Sequence, residues 1–208
     1  MKRNYLYAIL LFVIFFTLIG IAVIVCESDA REIRNGVLRF HIVANSDSAY
    51  DQQNKMSVRD GIAKLCSELF YTADSKQEAM TEAVNNKAVI ETAARQILKE
   101  RGSDDSVLVT VTKRFFPTRQ YEGVSLPAGV YDTVDIVIGD GDGQNFWCVM
   151  FPDICVGASS SVSNRDKMKD VLSGDSLEMV TDHDTPTVVF KFKVVEIFET
   201  VKNFFRSR

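Results

Sequence analysis

The chain has 208 residues, a formal net charge of −4 at pH 7 and a sequence pI of about 5.3. This length accommodates one domain plus a targeting segment, and a soluble part of this size buries roughly 70% of its unfolded surface. Because phosphate binding needs a dense face of lysine and arginine, the acidic balance argues against nucleic acid as a partner.

The N-terminal segment has the composition of a membrane helix. Residues 5–26 carry no charged side chain over 22 positions, about 33 Å of helix, which is enough to cross a bilayer. Because Lys2 and Arg3 precede this stretch, the positive-inside rule keeps the N-terminus cytoplasmic and exports the rest of the chain. The stretch is longer than the apolar region of a typical signal peptide, about 7–15 residues, which favours a retained anchor, yet residues 28–30 (Ser-Asp-Ala) suit cleavage. We predict a signal or anchor helix over residues 1–30, with retention and cleavage both open.

A strand followed by two helices is predicted next. Residues 36–44 have the apolar content of a buried strand. Ser48 begins a helix over residues 49–70, and Asp51 three residues later completes a capping-box pattern. A second capping box opens one long helix over residues 75–102, which ends at a glycine. Apolar residues recur along the first helix at helical spacing: Val58, Ile62, Leu65 and Leu69.

The pattern then changes from helical to strand periodicity. Residues 107–115 alternate apolar and polar side chains, as a half-buried strand does. The apolar runs at 134–138 and 146–151 are joined by Gly-Asp-Gly-Asp-Gly at 139–143, which predicts a β-hairpin. We therefore predict an α+β fold in which a mainly antiparallel sheet is covered on one face by the two long helices, and assign it to residues 31–156.

The C-terminal part, residues 157–208, differs in composition from this domain. Residues 157–186 are polar and acidic, with one short helix predicted around 167–172. The end of the chain, residues 190–208, is apolar again and favours an amphipathic helix. Docking on the core is its expected role, and membrane association is the alternative.

Few residues indicate a chemical site. Cys148 and Cys155 on an exported chain either form a disulfide or remain buried thiols. Residues 140–145 are predicted as a turn, because the positions at which an EF-hand loop needs Gly and Glu are not filled by those residues. Adventitious calcium binding is the alternative. His41 is predicted as a packed strand residue, and His183 is the second histidine. Since no nucleophile elbow, phosphate loop or zinc motif occurs, we predict no catalytic residue, metal or cofactor.

A polar loop follows the first strand of the domain. Asn45, Ser46 and Asp47 are residue types that turn the chain and cap a helix, because their side chains bond nearby backbone amides. The alternative is a recognition surface at the end of the strand, with Arg59 and Asp60 one helical stretch away.

Three segments carry a signature that goes beyond this pattern. They are Arg39–Asp60 (beginning Arg-Phe-His-Ile-Val-Ala-Asn-Ser-Asp-Ser), Phe116–Tyr121 (Phe-Pro-Thr-Arg-Gln-Tyr) and Leu126–Cys155. Together they resemble, in order, the stage II sporulation protein R family. The chain departs from that family at Phe146, where a further Trp is usual, and at Asp153, where Pro is frequent.

The resemblance implies a developmental signal. Such proteins are made in the forespore and exported into the space between the two septal membranes. There they activate a membrane-embedded aspartic protease, which removes the pro-sequence of sigma-E. Trp147 is then either a core anchor or a contact hot spot. The motifs and their surroundings supply the partner-binding candidates: Arg39, Asn45, Ser46, Asp47, Arg59, Asp60, Arg119, Tyr121, Asn145 and Trp147.

Two rival functions remain at this point. An exported cell-wall hydrolase would need an acid/base pair, and a structural septal protein would be needed in stoichiometric amounts. We expect a non-enzymatic protein without a small-molecule substrate. The carboxylates available to a hydrolase are placed on predicted strands and turns: Asp132, Asp135, Asp140 and Asp142.

Overall fold

This computed structural model describes residues 2–154, 163–182 and 185–206. Within these ranges the chain forms helices on both sides of one central sheet. The elements, in chain order, are α1 (Lys2–Gly36), β1 (Leu38–Val43), α2 (Ala49–Leu69), α3 (Lys76–Asn85), α4 (Lys87–Glu100), β2 (Val107–Phe116), β3 (Arg119–Tyr121), β4 (Val124–Leu126), β5 (Gly129–Ile138), β6 (Asn145–Phe151), α5 (Asn164–Lys169), α6 (Gly174–Thr181) and α7 (Pro186–Arg206).

The central sheet has four strands in the order β2-β5-β1-β6. Strand β2 is antiparallel to β5, and β6 is antiparallel to β1. Strands β1 and β5 are parallel, so the sheet is mainly, but not wholly, antiparallel. Strands β3 and β4 form a separate two-stranded hairpin. The α+β class and the antiparallel character of the sheet are as predicted.

The hairpin predicted from residues 134–138 and 146–151 is wrong. Strand β1 lies between β5 and β6 and pairs with both. All six residues of β1 are buried, which is the burial expected of a central strand covered on both faces. The glycine-rich segment 139–143 therefore crosses the end of β1 instead of closing a tight turn between neighbours.

One side of the sheet, here called the first face, is covered by α2, α3 and α4. Its core contains Leu38, Phe40 and Ile42 of β1 together with apolar residues of these helices. Both predicted capping positions are confirmed: the hydroxyl of Ser48 accepts a hydrogen bond from the amide of Asp51, and Ser75 caps α3 in the same way. These caps fix the residues at which α2 and α3 begin, and the apolar side of each helix faces the sheet.

The long helix predicted over residues 75–102 is divided in two. α3 ends at Asn85 and α4 begins at Lys87. The side-chain amide of Asn86, between them, donates to the carbonyl of Glu82 at 2.9 Å and so caps the end of α3. An asparagine side chain competes with the helical backbone for hydrogen bonds in this way. In the sequence this break is marked by one residue, Asn86, and the helical spacing of apolar residues continues across it.

The opposite side of the sheet, the second face, is partly covered by the last turns of α1, the β3–β4 hairpin and helices α5 to α7. Their shared core includes Ile33, Phe116, Val149 and Val195. The predicted C-terminal helix is confirmed as α7, and it docks on this core through its buried residues. The short helix predicted around 167–172 occurs as α5, three residues earlier at Asn164–Lys169, whereas α6 was not predicted.

Helix α1 runs without interruption from Lys2 to Gly36. Within the described residues it is the one helix long and apolar enough to cross a membrane, over Ile9–Gly36. Its large apolar residues before Cys26 are mostly exposed, whereas Cys26, Ala30 and Ile33 are buried in the second-face core. The boundary drawn at residue 30 thus falls inside a helix that belongs to the membrane segment at one end and to the folded body at the other.

Candidate protein-interaction site

Strand register places several of the candidate residues in rows across the second face. Thr110, Asp135, His41 and Trp147 face one another in order on β2, β5, β1 and β6. The neighbouring row toward the 139–143 loop is Leu108, Val137, Val43 and Asn145. Because side chains two residues apart on a strand point the same way, both rows project from the same side of the sheet.

His41 lies at the centre of the first of these rows. Its Nδ1 atom is 2.5 Å from Oδ1 of Asp135, and its Nε2 atom is 2.8 Å from Oδ1 of Asn145. The ring is fully buried and stacks on Trp147 with a centroid distance of 4.1 Å. Both ring nitrogens therefore face side-chain oxygens of neighbouring strands. His41 is therefore a packed strand residue, as predicted, and it also has a specific polar environment.

Asp135 has a second partner, the guanidinium of Arg114. Arg114 of β2 donates to Oδ2 while His41 occupies Oδ1. Burial alone would raise the pKa of the Asp135 carboxyl, but the hydrogen bonds and charges of His41 and Arg114 outweigh it and lower the pKa below its ordinary value. The carboxylate therefore stays ionised and links strands β1, β2 and β5.

Arg39 occupies an aromatic cage beside this cluster. Its guanidinium carbon lies 4.2 Å from the ring centroid of Phe116 and 5.0 Å from that of Tyr131. It also donates to the hydroxyl of Tyr121 at 2.7 Å, while its Nε and Nη1 atoms make no hydrogen bond to the described residues. Burial lowers the pKa of Arg39, and the aromatic faces offset part of the cost of burying the cation.

Three further candidates meet around Trp147. The guanidinium of Arg119 lies 5.8 Å from the Trp147 ring centroid, and the hydroxyl of Tyr121 donates to the Trp147 carbonyl at 3.4 Å. Asn145 is two residues away on the same side of β6 and contacts His41. The structure thus brings Arg39, Arg119, Tyr121, Asn145 and Trp147 together, although they come from three different strands.

Part of the second face is not covered by helices. We call it the open face. Leu108 is 54% exposed, Thr112 and Asn145 are exposed, and the remaining members are half-buried. The exposed Arg119 borders it. Buried salt links and stacked rings lie directly beneath, so this surface is held in a fixed shape. The open face consists of Leu108, Thr110, Thr112, Val137, Asn145 and Trp147.

Asn45, Ser46 and Asp47 lie at the end of β1 and bind parts of the chain itself. Oδ1 of Asn45 accepts the amide of Asp140 at 3.0 Å, and Oδ1 of Asp47 accepts the amide of Gln144 at 2.8 Å. Ser46 and Asn45 also donate to Asp51 at the start of α2. These bonds join the β1–α2 loop to the β5–β6 loop, so the structural role considered for this motif is observed; its role in recognition stays a prediction.

Arg59 and Asp60 do not join the cluster. They lie on α2, bonded to each other at 2.7 Å, and Arg59 lies over the ring of Phe146. Phe146 packs against the first-face core, so this pair is on the other side of the sheet from Trp147. A partner that contacts the open face would not contact Arg59 and Asp60 directly at the same time.

The cysteine and metal questions have different outcomes. Cys148 is buried on β6, and Cys155 lies outside the described residues, so a bridge between them stays a prediction. His183 also lies outside them. Cys66 is free, and burial raises the pKa of its thiol to about 12, so it is inert at neutral pH. Among the described residues no group of three or more His, Cys, Asp or Glu side chains is placed to hold a metal ion.

Sequence reasoning missed Asp135 and Arg114 as members of the site. The sequence does contain a signal: Asp135 is a charged residue within the apolar run 134–138, and a run this apolar is expected to be a central strand of the sheet. A buried carboxylate requires a cation beside it. Which cations those are depends on the pairing of β5 with β1 and β2, which local patterns do not specify.

Taken together, the fold and the site define a class: an α+β body on one apolar helix, with an exposed sheet surface over an internally paired polar cluster. The family model for stage II sporulation protein R matches residues 34–161, and the chain belongs to this family. It is also 35% identical over 129 residues to the stage II sporulation protein R of Bacillus subtilis (strain 168).

That match covers 62% of this chain and 58% of the Bacillus protein, so the chain spans less than two thirds of the length of the curated relative. No solved structure matches the chain. The family segment begins at the end of α1 and includes all six strands and the helices of the first face. Helices α5, α6 and α7 lie outside it.

Proposed function

We propose that this protein is an exported sporulation signal that activates a membrane-embedded aspartic protease, which then processes the sigma-E precursor in the mother cell. Membership of the stage II sporulation protein R family and the apolar helix α1 support this proposal. The observation that carries it is the open face: an exposed surface on the sheet that includes Val137, Asn145 and Trp147 of one segment by which the family was recognised and is bordered by Arg119 of another.

The open face has the composition of a protein-binding surface. Aromatic and arginine side chains are enriched in interfaces, and Trp147 and Arg119 lie here side by side. Leu108 adds an exposed apolar side chain at the edge strand. Since the polar cluster beneath is already paired internally, the surface needs little rearrangement before it binds, which reduces the entropic cost of binding.

The carboxylates that a cell-wall hydrolase would use favour a non-enzymatic function. Burial raises the pKa of Asp132, but hydrogen bonds from Lys76 and Lys113 outweigh this and lower the pKa below its ordinary value, as in Asp135. A general acid in a glycosidase needs a carboxyl with a raised pKa. Two of the four carboxylates considered are therefore shifted in the opposite direction.

A ligand activates a protein only if it binds the active state more tightly than the resting state. To move a population from about 1:99 to 99:1, the difference in affinity must be roughly 10⁴-fold. We propose that the open face contacts a surface of the protease that is formed only in its active state. Helix α1, inserted in the forespore membrane, would present the open face to the protease across the space between the two membranes.

Co-expression in a non-sporulating bacterium tests this proposal. Cells carry the protease and the sigma-E precursor, with or without this chain, and precursor cleavage is followed by immunoblot. We expect cleavage only with the chain, and loss of cleavage when residues 2–26 are deleted so that the body stays in the cytoplasm. Cleavage that does not depend on the chain would contradict the proposal.

A parallel assay addresses the rivals. The purified chain, in detergent, is incubated with cell-wall material, and soluble products are measured. We expect none, and turnover of the wall by the chain alone would support the hydrolase instead. Cleavage in the co-expression assay at substoichiometric amounts of the chain would separate a signal from a structural septal protein.

A further inference from the structure

Helix α7 has apolar residues on two opposite sides. One side, with Val188, Phe192 and Val195, is buried in the second-face core. The other side, here called the outer stripe, contains the exposed Phe190, Ile197, Phe198, Val201 and Phe205, and the half-buried Val194, which also packs against the second-face core, lies at its border. A helix that is apolar on both sides normally has both sides covered.

Most of the outer stripe is exposed. Ile197 is 66% exposed, Phe205 71% and Phe190 60%, with Val201 at 51%. Taking about 200 Å² for a whole phenylalanine side chain, the stripe presents roughly 500 Å² of apolar surface. The largest apolar patch on a typical monomer is about 300–600 Å², and such patches are often interaction sites.

The spacing of the stripe is that of a helix–helix seam. Phe190, Val194, Ile197 and Val201 follow one another at steps of four, three and four residues. This is the a/d repeat of a coiled coil, with β-branched valines at the a positions. Charges of both signs border the stripe, including Lys193 bonded to Glu196 at 2.9 Å.

We propose that two copies of this chain pair through the outer stripes of α7. Two stripes facing each other would bury about 1,000 Å², which is the area that a specific interface requires. The apolar span of α1 would hold all copies in one membrane and in one orientation, which raises their effective concentration. The pairing is isologous, so each stripe meets its own copy across a twofold axis. The proposal does not depend on the protease.

Cysteine cross-linking of the full chain in vesicles of phosphatidylethanolamine and phosphatidylglycerol tests this pairing. Ile197 lies near the middle of the stripe, so it meets its counterpart in either a parallel or an antiparallel pair. Glu196 is its immediate neighbour on α7 but lies off the stripe. With a short bis-maleimide, we expect about tenfold more dimer from Ile197→Cys than from Glu196→Cys. The unmodified chain measures the background from its native cysteines.

A second substitution distinguishes a specific seam from random collision. Val201→Asp in the Ile197→Cys background should reduce dimer to the background, because a carboxylate would be buried in the seam. Val201 is exposed in the single chain, so thermal unfolding should stay unchanged and serve as the folding control. Equal cross-linking at positions 196 and 197, or no effect of Val201→Asp, would overturn the proposal.

A lipid arm completes the test. A fluorophore attached at Ile197→Cys is exposed to a quencher carried on the acyl chains. We expect no more quenching than for a label at Glu196→Cys. Strong quenching at position 197 without cross-linking would place the outer stripe in the bilayer and overturn the pairing.

Discussion

At the scale of single residues, buried charges in this protein serve to hold strands together. Asp135 on β5 binds His41 on β1 and Arg114 on β2. Such a group is costly to bury alone and is tolerated because each of its oxygens has a side-chain partner, one of which is the Arg114 cation. Local patterns predicted the burial of His41 and the strand around Asp135, but not their contact, because the two residues are 94 positions apart.

The Asp135 cluster predicts a pH dependence of stability. Since the folded-state pKa of Asp135 is lowered, the unfolded chain binds more protons between the two pKa values, and stability rises with pH there. The contribution is complete above the unfolded value of about 3.9 and is lost as pH falls through the folded value. We expect Asp135→Asn to be less stable at pH 7 and to lose less stability on acidification.

Urea unfolding at a series of pH values, from pH 7 down to the pH at which the chain unfolds in acid, measures the free energy of unfolding of both proteins. Asp104→Asn, at an exposed position, is the matched control and should follow the original chain at every pH. If Asp135→Asn and the original chain lost stability in parallel below pH 4, the ion-pair explanation would be wrong.

Arg39 gives a second prediction at this scale. Arg39→Ala removes the cation from its aromatic cage, leaves a cavity and takes a donor from Tyr121. We expect a loss of about 3 kcal/mol in the free energy of unfolding. Arg59→Ala removes an arginine from an exposed ion pair and should cost less than about 1 kcal/mol. Similar losses for both variants in urea unfolding would refute the structural role of the cage.

At the scale of elements, the sequence predicted which segments form helices and strands better than it predicted how they pair. Capping residues and apolar spacing are local signals, so α2, α3 and β1 were expected nearly where they occur. Insertion of β1 between β5 and β6 joins residues about a hundred positions apart, and no local pattern encodes it. Because the sequence shows only two apolar runs joined by the glycine-rich loop at 139–143, this loop was predicted to be a hairpin turn.

The 139–143 loop yields a prediction with an internal control. Gly139 has a φ of +57°, and a Cβ atom there would lie 2.1 Å from Oδ1 of Asn45. Gly123 has a φ of +75°, with no atom near its would-be Cβ. Both Gly→Ala variants pay backbone strain of about 1–2 kcal/mol, but only Gly139→Ala also breaks the contact between the two loops. We expect it to be the more destabilised by about a further 1–2 kcal/mol.

Thermal or urea unfolding of the two glycine variants decides this point. Because each has the same kind of backbone strain, the difference between them reports the Asn45 contact. Equal destabilisation would mean that the contact of Asn45 with the β5–β6 loop contributes nothing to stability.

At the scale of the whole molecule, the sheet separates a side covered by helices from a side that is covered only in part. Three helices cover the first face, whereas the second face is shared between α1, the C-terminal helices and the open face. The candidate residues named from the sequence divide accordingly: Trp147 belongs to the open face and Arg119 borders it, while Arg59 and Asp60 lie on the other side. The resemblance could supply the residues but not this division, which depends on strand order.

The most direct measurement compares two charge substitutions in the co-expression assay. Leu108 on the open face is 54% exposed and Val84 on α3 is 56% exposed, so neither Leu108→Glu nor Val84→Glu should unfold the chain, which thermal unfolding can verify. Burying an unpaired carboxylate at an interface costs several kcal/mol.

We therefore expect Leu108→Glu to reduce sigma-E precursor cleavage by at least about tenfold, while Val84→Glu cleaves as the original chain does. Normal cleavage with Leu108→Glu, or an equal loss with Val84→Glu, would contradict the account that the open face is where this protein meets its partner.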